Sequence, residues 1–209
     1  MLHKIQYISQ GNTAEEQLRN IREVLEAGGR WIQLRYKNPN EILAVAKEVK
    51  ALCAQFNALF IINDFVEIAK EVDADGVHLG LQDTSIEKAR AVLGSEKIIG
   101  GTANTLEDVK QRIEEGCDYI GLGPFRFTTT KQSLSPILGL EGYQSILNQL
   151  NSSVPIFAIG GIETDDVEAI LSNGIYGIAL SGLISNSSDK KLVLTTLNTI
   201  VNGTVENRR

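Results

Sequence analysis

The sequence predicts an α/β fold, a single-domain (β/α)8 TIM barrel. Short apolar, β-rich runs alternate with segments of helical spacing along the whole chain, the pattern of parallel strands joined by crossover helices. Seven of the eight runs end in a polar or glycine-bearing segment. In a parallel barrel all strands end at one mouth, where such barrels carry their chemistry. Small turn phrases recur before the runs, at Ala27-Gly28-Gly29, Val72-Asp73-Ala74-Asp75-Gly76, Glu115-Gly116-Cys117-Asp118 and Ser172-Asn173-Gly174. Repeated turns of this kind favour a regular barrel over a doubly wound sheet, the alternative that alternation alone allows.

The first strand is expected over Ile5–Ile8. Thr13–Ala27 follows as a helix, with Leu18, Ile21, Val24 and Leu25 on one stripe and Gly28-Gly29 as its stop. Trp31–Leu34 is the second strand and Asn40–Phe56 the second helix, with apolar residues at Ile42, Leu43, Ala46, Val49 and Leu52. Strands are expected at Leu59–Ile62, Gly76–Leu79 and Ile98–Gly101. They are mostly apolar on both faces, as strands between a barrel core and a helical layer should be. Thr105–Glu115 reads as a helix capped by Thr105, with Glu107 and Asp108 at its positive end. Tyr119–Leu122, Pro155–Ile159 and Gly177–Leu180 complete the strands, and Asp165–Ser172 and Asp189–Val201 the helices. Residues 1–201 would form the barrel and 202–209 a frayed polar tail.

A length of 209 residues is close to the lower limit for this barrel, and 43% hydrophobic content supplies its core. The net charge of −6 excludes a general polyanion binder, so no nucleic-acid partner is expected and any anion site must be local. No apolar stretch approaches the roughly 20 residues that cross a bilayer. Met1-Leu2-His3-Lys4 runs directly into a strand with no visible signal peptide, which makes the cytoplasm the expected location. Cys53 and Cys117 lie far apart, lack metal spacing and read as buried thiols. A homo-oligomer is compatible with all of this.

Several strand ends carry chemistry. Asp64, in Asn63-Asp64, and Asp83 follow successive strands and could share one Mg2+, a hard cation that takes oxygen ligands and keeps waters for a phosphate-bearing substrate. Each could instead cap the next helix; the pairing at adjacent barrel positions favours the metal. Gln33, Arg35 and Lys37 alternate, so one extended segment points all three the same way. They suit phosphate oxygens, or an ordinary solvated strand end. Thr128-Thr129-Thr130-Lys131 opens a long loop, to about Leu138, that suits an anion and could act as a lid. Gly160-Gly161 and Ser181-Gly182 follow the last two strands, where many barrels offer backbone N–H groups to a phosphate. His78, in an apolar run, reads as a hydrogen-bonded structural residue. There is no Walker A loop, no Gly-x-Gly-x-x-Gly helix start and no Gly-x-Ser-x-Gly elbow.

Taken in order, Gln33-x-Arg35-x-Lys37, Ile62-Asn63-Asp64, Asp75-Gly76-Val77-His78-Leu79-Gly80-x-x-Asp83, Gly121-Leu122-Gly123-Pro124, Thr128-x-Thr130-Lys131 and Ala158-Ile159-Gly160-Gly161-Ile162 resemble the thiamine-phosphate synthase family. The resemblance spans nearly the whole chain. It implies a transferase that joins a hydroxymethylpyrimidine diphosphate to a thiazole phosphate, giving thiamine monophosphate and pyrophosphate. By that resemblance Gln33, Arg35, Lys37, Asn63, Thr102 and Lys131 would contact the pyrimidine diphosphate. Arg35, Lys37 and Lys131 would stabilise the leaving diphosphate, and Asp64 and Asp83 would bind Mg2+. Thr128 and Thr130 would touch the thiazole phosphate, whose phosphate would sit on the N–H groups around Gly161, Ser181 and Gly182. The chain departs from the family pattern at Leu81, where Gln is usual, at Asn104, where His is common, and at Phe127, where Pro is usual. A thiazole tautomerase-like paralogue and a non-catalytic phosphometabolite-binding barrel are the competing readings. Neither has a use for both the carboxylate pair and the second cationic cluster.

Overall fold

All eight expected strands form, all parallel, and close in sequence order: β1 (Ile5–Ile8), β2 (Trp31–Leu34), β3 (Leu59–Asn63), β4 (Gly76–Leu79), β5 (Ile98–Ala103), β6 (Tyr119–Leu122), β7 (Ile156–Ile159) and β8 (Gly177–Leu180). β8 pairs back onto β1, with Gln6 opposite Ala179. The structure, a computed structural model, describes residues 2–127 and 136–206. The outer layer is α1 (Ala14–Glu26), α2 (Ile42–Gln55), α3 (Val66–Glu71), α4 (Ile86–Leu93), α5 (Leu106–Glu114), α6 (Gly139–Leu147), α7 (Val167–Ser172), the short α8 (Gly182–Ser185) and α9 (Lys190–Glu206). Among the described residues no helix is long and apolar enough to cross a membrane.

Local chemistry sets the element ends. Thr13 caps α1 by accepting from the Glu16 N–H, and Thr105 and Asp108 form a reciprocal capping box on α5. β7 begins at Ile156 rather than Pro155, because proline brings no N–H to the ladder; its carbonyl accepts from the Ile120 N–H at 2.9 Å. β3 and β5 run further than the apolar pattern indicates, so Asn63 and Thr102 lie within strands. Helices α3, α4, α6 and α8, four to nine residues long, form in addition to those expected. Val45 is buried in α2 while Leu43 is only half-buried, a rotation of the expected stripe. α9 continues to Glu206 rather than stopping at Val201.

Alternation along the strands sorts the barrel interior into two levels. The lower level is aromatic: Trp31 lies edge-on to both Tyr119 and Phe157, with ring centroids 5.0 Å apart in each pair. Above it, nearer the mouth, Gln6, Gln33, His78 and Thr102 are buried polar residues. Tyr119 belongs to both levels, its ring in the aromatic cluster and its hydroxyl bonded to Gln6 and His78. The next-door strand makes room for it with Gly100, where an added Cβ would sit 2.1 Å from Tyr119 Cζ. We therefore expect Gly100→Ala to destabilise the fold by about 1–3 kcal/mol, the usual cost of overpacking a filled core. Urea unfolding checks this, and an unchanged midpoint would contradict it.

Candidate active site

Every described residue of the expected site lies at the C-terminal end of the barrel. Gln33 is in β2, with Arg35 and Lys37 just beyond it; Asn63 ends β3; Thr102 is in β5; Gly161 follows β7; and Ser181 and Gly182 follow β8. Thr128, Thr130 and Lys131 lie outside the described residues. The described residues on either side meet, with Leu138 N–H donating to Pro124 O and Gly139 N–H to Phe125 O, each at 3.0 Å.

The carboxylates meet. Asp64 sits at the end of β3 with φ of 70°, a left-handed conformation that Asp tolerates better than most residues and that clusters at functional sites. Its carboxyl reaches that of Asp83, and its pKa is raised to about 6. Burial is the largest cause, followed by the Asp83 hydrogen bond and charge; Lys37 and Arg35 pull the other way. Asp83 is steadied by the Gly80 N–H, 2.6 Å from Oδ2. Neither carboxylate caps a helix: α3 has no side-chain cap and Ser85 caps α4. The helix-cap alternative is thereby removed. Among the described residues Arg35 and Lys37 make no ion pair, which leaves both cations available beside the Asp64–Asp83 pair.

Gln33 is 2% exposed and donates from Nε2 to Asn63 Oδ1 at 2.8 Å. Its Oε1 is buried with no hydrogen-bond partner among the described residues. An orphan acceptor of this kind costs about 1–3 kcal/mol unless a ligand or water supplies a donor.

The glycines after β7 adopt φ of 94° (Gly160) and 67° (Gly161), and a Cβ on Gly161 would lie 2.9 Å from Arg126 Cβ. Arg126 clamps this turn: Nη1 donates to Gly161 O at 2.7 Å, and the guanidinium forks onto both Asp166 oxygens at 2.9 Å. Ser181 Oγ donates to Ile8 O at 2.7 Å, fixing the start of α8, whose first turn leaves N–H groups without intrahelical partners.

Two supports were not visible in the sequence. Arg112, 3% exposed, donates from Nε to Thr102 O (3.1 Å), from Nη2 to Gly80 O (2.9 Å) and from Nη1 to Glu115 (2.7 Å). One side chain thus ties the β5 end to the loop that carries Asp83. Asn104 donates from Nδ2 to Gly123 O, so this departure from the family pattern serves as a strut between β5 and β6. The signal for Arg112 was its place on the apolar face of α5, where a charged residue needs an inward partner. His78 is hydrogen-bonded as expected, to Tyr119 and Thr102. Cys53 and Cys117 are free, buried thiols, pushed up to about 12 chiefly by burial and therefore not nucleophiles. A cavity of about 350 Å³ lies at the opposite end of the barrel, among Leu2, Lys4, Arg30, Trp31 and Tyr176, away from all of these groups.

Fold and mouth together define the class: a single-domain TIM-barrel enzyme with its polar groups gathered at the C-terminal ends of the strands. The family model of thiamine monophosphate synthase matches residues 6–184. The chain is 53% identical over 203 residues to the thiamine-phosphate synthase of Flavobacterium johnsoniae, covering 95% of this chain and 96% of that protein. It is 55% identical over 203 residues to that of Flavobacterium psychrophilum, covering 95% and 98%. The solved thiamine phosphate pyrophosphorylase of Pyrococcus furiosus superposes with a TM-score of 0.84 at 32% identity, covering 96% of each chain. This chain belongs to the thiamine monophosphate synthase family.

Two predictions follow from the geometry. Arg112→Met should destabilise by about 2–4 kcal/mol in urea unfolding, because the buried Thr102 carbonyl and the half-buried Gly80 carbonyl lose a donor; a loss below about 1 kcal/mol would contradict the strut. The raised Asp64 pKa means that the folded state holds the proton more tightly than the unfolded chain does. Metal-free protein should then lose stability as pH rises from about 3.8 to about 6 and carry the full penalty above it. Asp64→Asn should remove that loss and raise the melting temperature at pH 8; a lower melting temperature would contradict the penalty of holding Asp64 charged there.

Proposed function

We propose that this chain is the transferase that joins 4-amino-2-methyl-5-hydroxymethylpyrimidine diphosphate to thiazole phosphate, giving thiamine monophosphate and pyrophosphate. Family membership supports the reaction. The structural observation that carries the reading is Gln33: its amide is oriented by Asn63, and its buried Oε1 has no donor among the described residues. The exocyclic amine of an aminopyrimidine is such a donor, and Asn63 completes the contact. Arg35 and Lys37, beside Asp64, would hold the diphosphate, joined by Lys131 on the strength of the family resemblance alone.

The reaction breaks the bond between the pyrimidine methylene carbon and the diphosphate oxygen, and the bonding electrons leave with the diphosphate. The aminopyrimidine ring supports the resulting methylene cation, so no protein nucleophile is needed. The thiazole nitrogen then donates its lone pair to the methylene carbon, forming the thiazolium. Negative charge grows on the leaving oxygens, and Arg35 and Lys37 would stabilise it. Asp64 and Asp83 suit Mg2+: two adjoining carboxylates fit a hard cation that keeps waters and takes phosphate oxygens. When bound, Mg2+ would supply charge neutralisation at the diphosphate. The turn at Gly161 and the head of α8 at Ser181 and Gly182 would hold the thiazole phosphate, with Thr128 and Thr130 assigned by resemblance. Two buried free thiols are compatible with a reducing cytoplasm.

The test is an assay of pyrophosphate and thiamine monophosphate from the two substrates with and without Mg2+. Product should require Mg2+, and Asp64→Ala and Asp83→Ala should each lower turnover by about 100-fold or more, roughly 2.7 kcal/mol. In the same assay Gln33→Leu should raise the KM for the pyrimidine diphosphate by about 10-fold, the worth of one buried hydrogen bond. Thiazole phosphate binding without product would leave a tautomerase-like or binding role and defeat the proposal.

A further inference from the structure

Behind Thr102 lies a line of buried polar groups that the chemistry above does not use. Gln6 Nε2 donates to Tyr119 Oη at 3.1 Å, Tyr119 Oη lies 3.0 Å from His78 Nδ1, and His78 Nε2 lies 3.0 Å from Thr102 Oγ1. All four residues are buried, Tyr119 completely and Thr102, at 7%, the most exposed.

We infer that Gln6, Tyr119 and His78 form a one-way hydrogen-bond relay that presents the Thr102 hydroxyl to the barrel mouth as a donor, matched to an acceptor-only diphosphate. The ligand in this inference rests on the proposed function; the direction of the relay does not.

The direction follows link by link. An amide nitrogen has no lone pair to offer, so the first bond runs from Gln6 to Tyr119. Burial pushes the Tyr119 phenol far above its usual range, so it keeps its proton and must place it. His78 Nδ1 is the acceptor it has among the described residues. Accepting at Nδ1 puts the single proton of the neutral imidazole on Nε2. That N–H donates to Thr102 Oγ1. The hydroxyl proton of Thr102 cannot then turn back toward His78. Its backbone is held by Arg112, Nε to Thr102 O at 3.1 Å, and Gly121 faces the imidazole with its hydrogen alone, since a Cβ there would lie 3.2 Å from His78 Cε1. Reversing the relay would leave the Tyr119 proton buried without an acceptor, at a cost of about 1–3 kcal/mol. Gln6, Tyr119 and His78 are thus positioning residues: they touch Thr102 or one another, and Thr102 touches the ligand.

Two measurements test the relay separately. Long-range 15N–1H spectra read the tautomer of His78 directly; the chain has 2 histidines, and His3→Gln assigns them. At pH 7 the native protein should show His78 unprotonated at Nδ1 and protonated at Nε2. A proton on Nδ1 would overturn the relay. In the steady state Tyr119→Phe, which keeps the ring in its packing, should raise the KM for the pyrimidine diphosphate by about 10-fold, equivalent to about 1.4 kcal/mol, with the KM for thiazole phosphate unchanged. Thr102→Val should do the same, and the double variant should be no worse than Thr102→Val alone. Additive losses, or an unchanged pyrimidine KM in Tyr119→Phe, would overturn the presentation of Thr102 even with the tautomer as stated. A native protein without synthase activity would defeat the proposed function, and the spectra would still decide the relay.

Discussion

Tyr119 is the side chain on which the barrel interior depends, because it must satisfy two environments at once. Its ring needs apolar neighbours and finds them edge-on in Trp31 and Phe157. Its hydroxyl, fully buried, needs partners, since an unpaired hydroxyl inside a protein costs several kcal/mol on transfer scales. Gln6 and His78 supply them from β1 and β4. Gly100 follows from the same demand, as nothing larger fits against the ring. The result is a rigid aromatic floor with a polar level above it, and the groups of the mouth stand on that level.

Charge at the mouth is arranged against the grain of the whole chain. A protein of net charge −6 repels anions at long range, so a phosphate site has to be made by local cations and backbone N–H groups. Arg35 and Lys37 stand beside Asp64, whose carboxyl is held above its usual range by burial and by the neighbouring Asp83. Placing Asp64, partly buried, against Asp83 carries an electrostatic cost that Lys37 and Arg35 offset in part. Arg112, by contrast, spends its guanidinium on two carbonyls and one carboxylate, so it acts as a beam and adds no free cation to the mouth. Arg126 does similar work at the β7 turn.

Much of this was legible in the chain. The eight strands were readable because each is an apolar run between turn phrases, and β1, β2, β4, β6 and β8 have the bounds the pattern implies. The placement of the candidate site residues at the strand ends was readable, since in a parallel barrel position along the sequence maps onto position around one rim. Helices α3, α4 and α6 were not, whereas α5, of similar length, was announced by its Thr105 cap and the acidic residues behind it.

What the sequence determined by itself is therefore the rim: which residue types stand at the strand ends, and in what order around it. Only the tertiary structure decided how they are held. Arg112 and Gly80 are 32 residues apart, Gln6 and Tyr119 are 113 apart, and no local pattern links either pair. Such contacts arise from closure of the barrel, which brings distant strands face to face across a core that only a few side-chain shapes can fill.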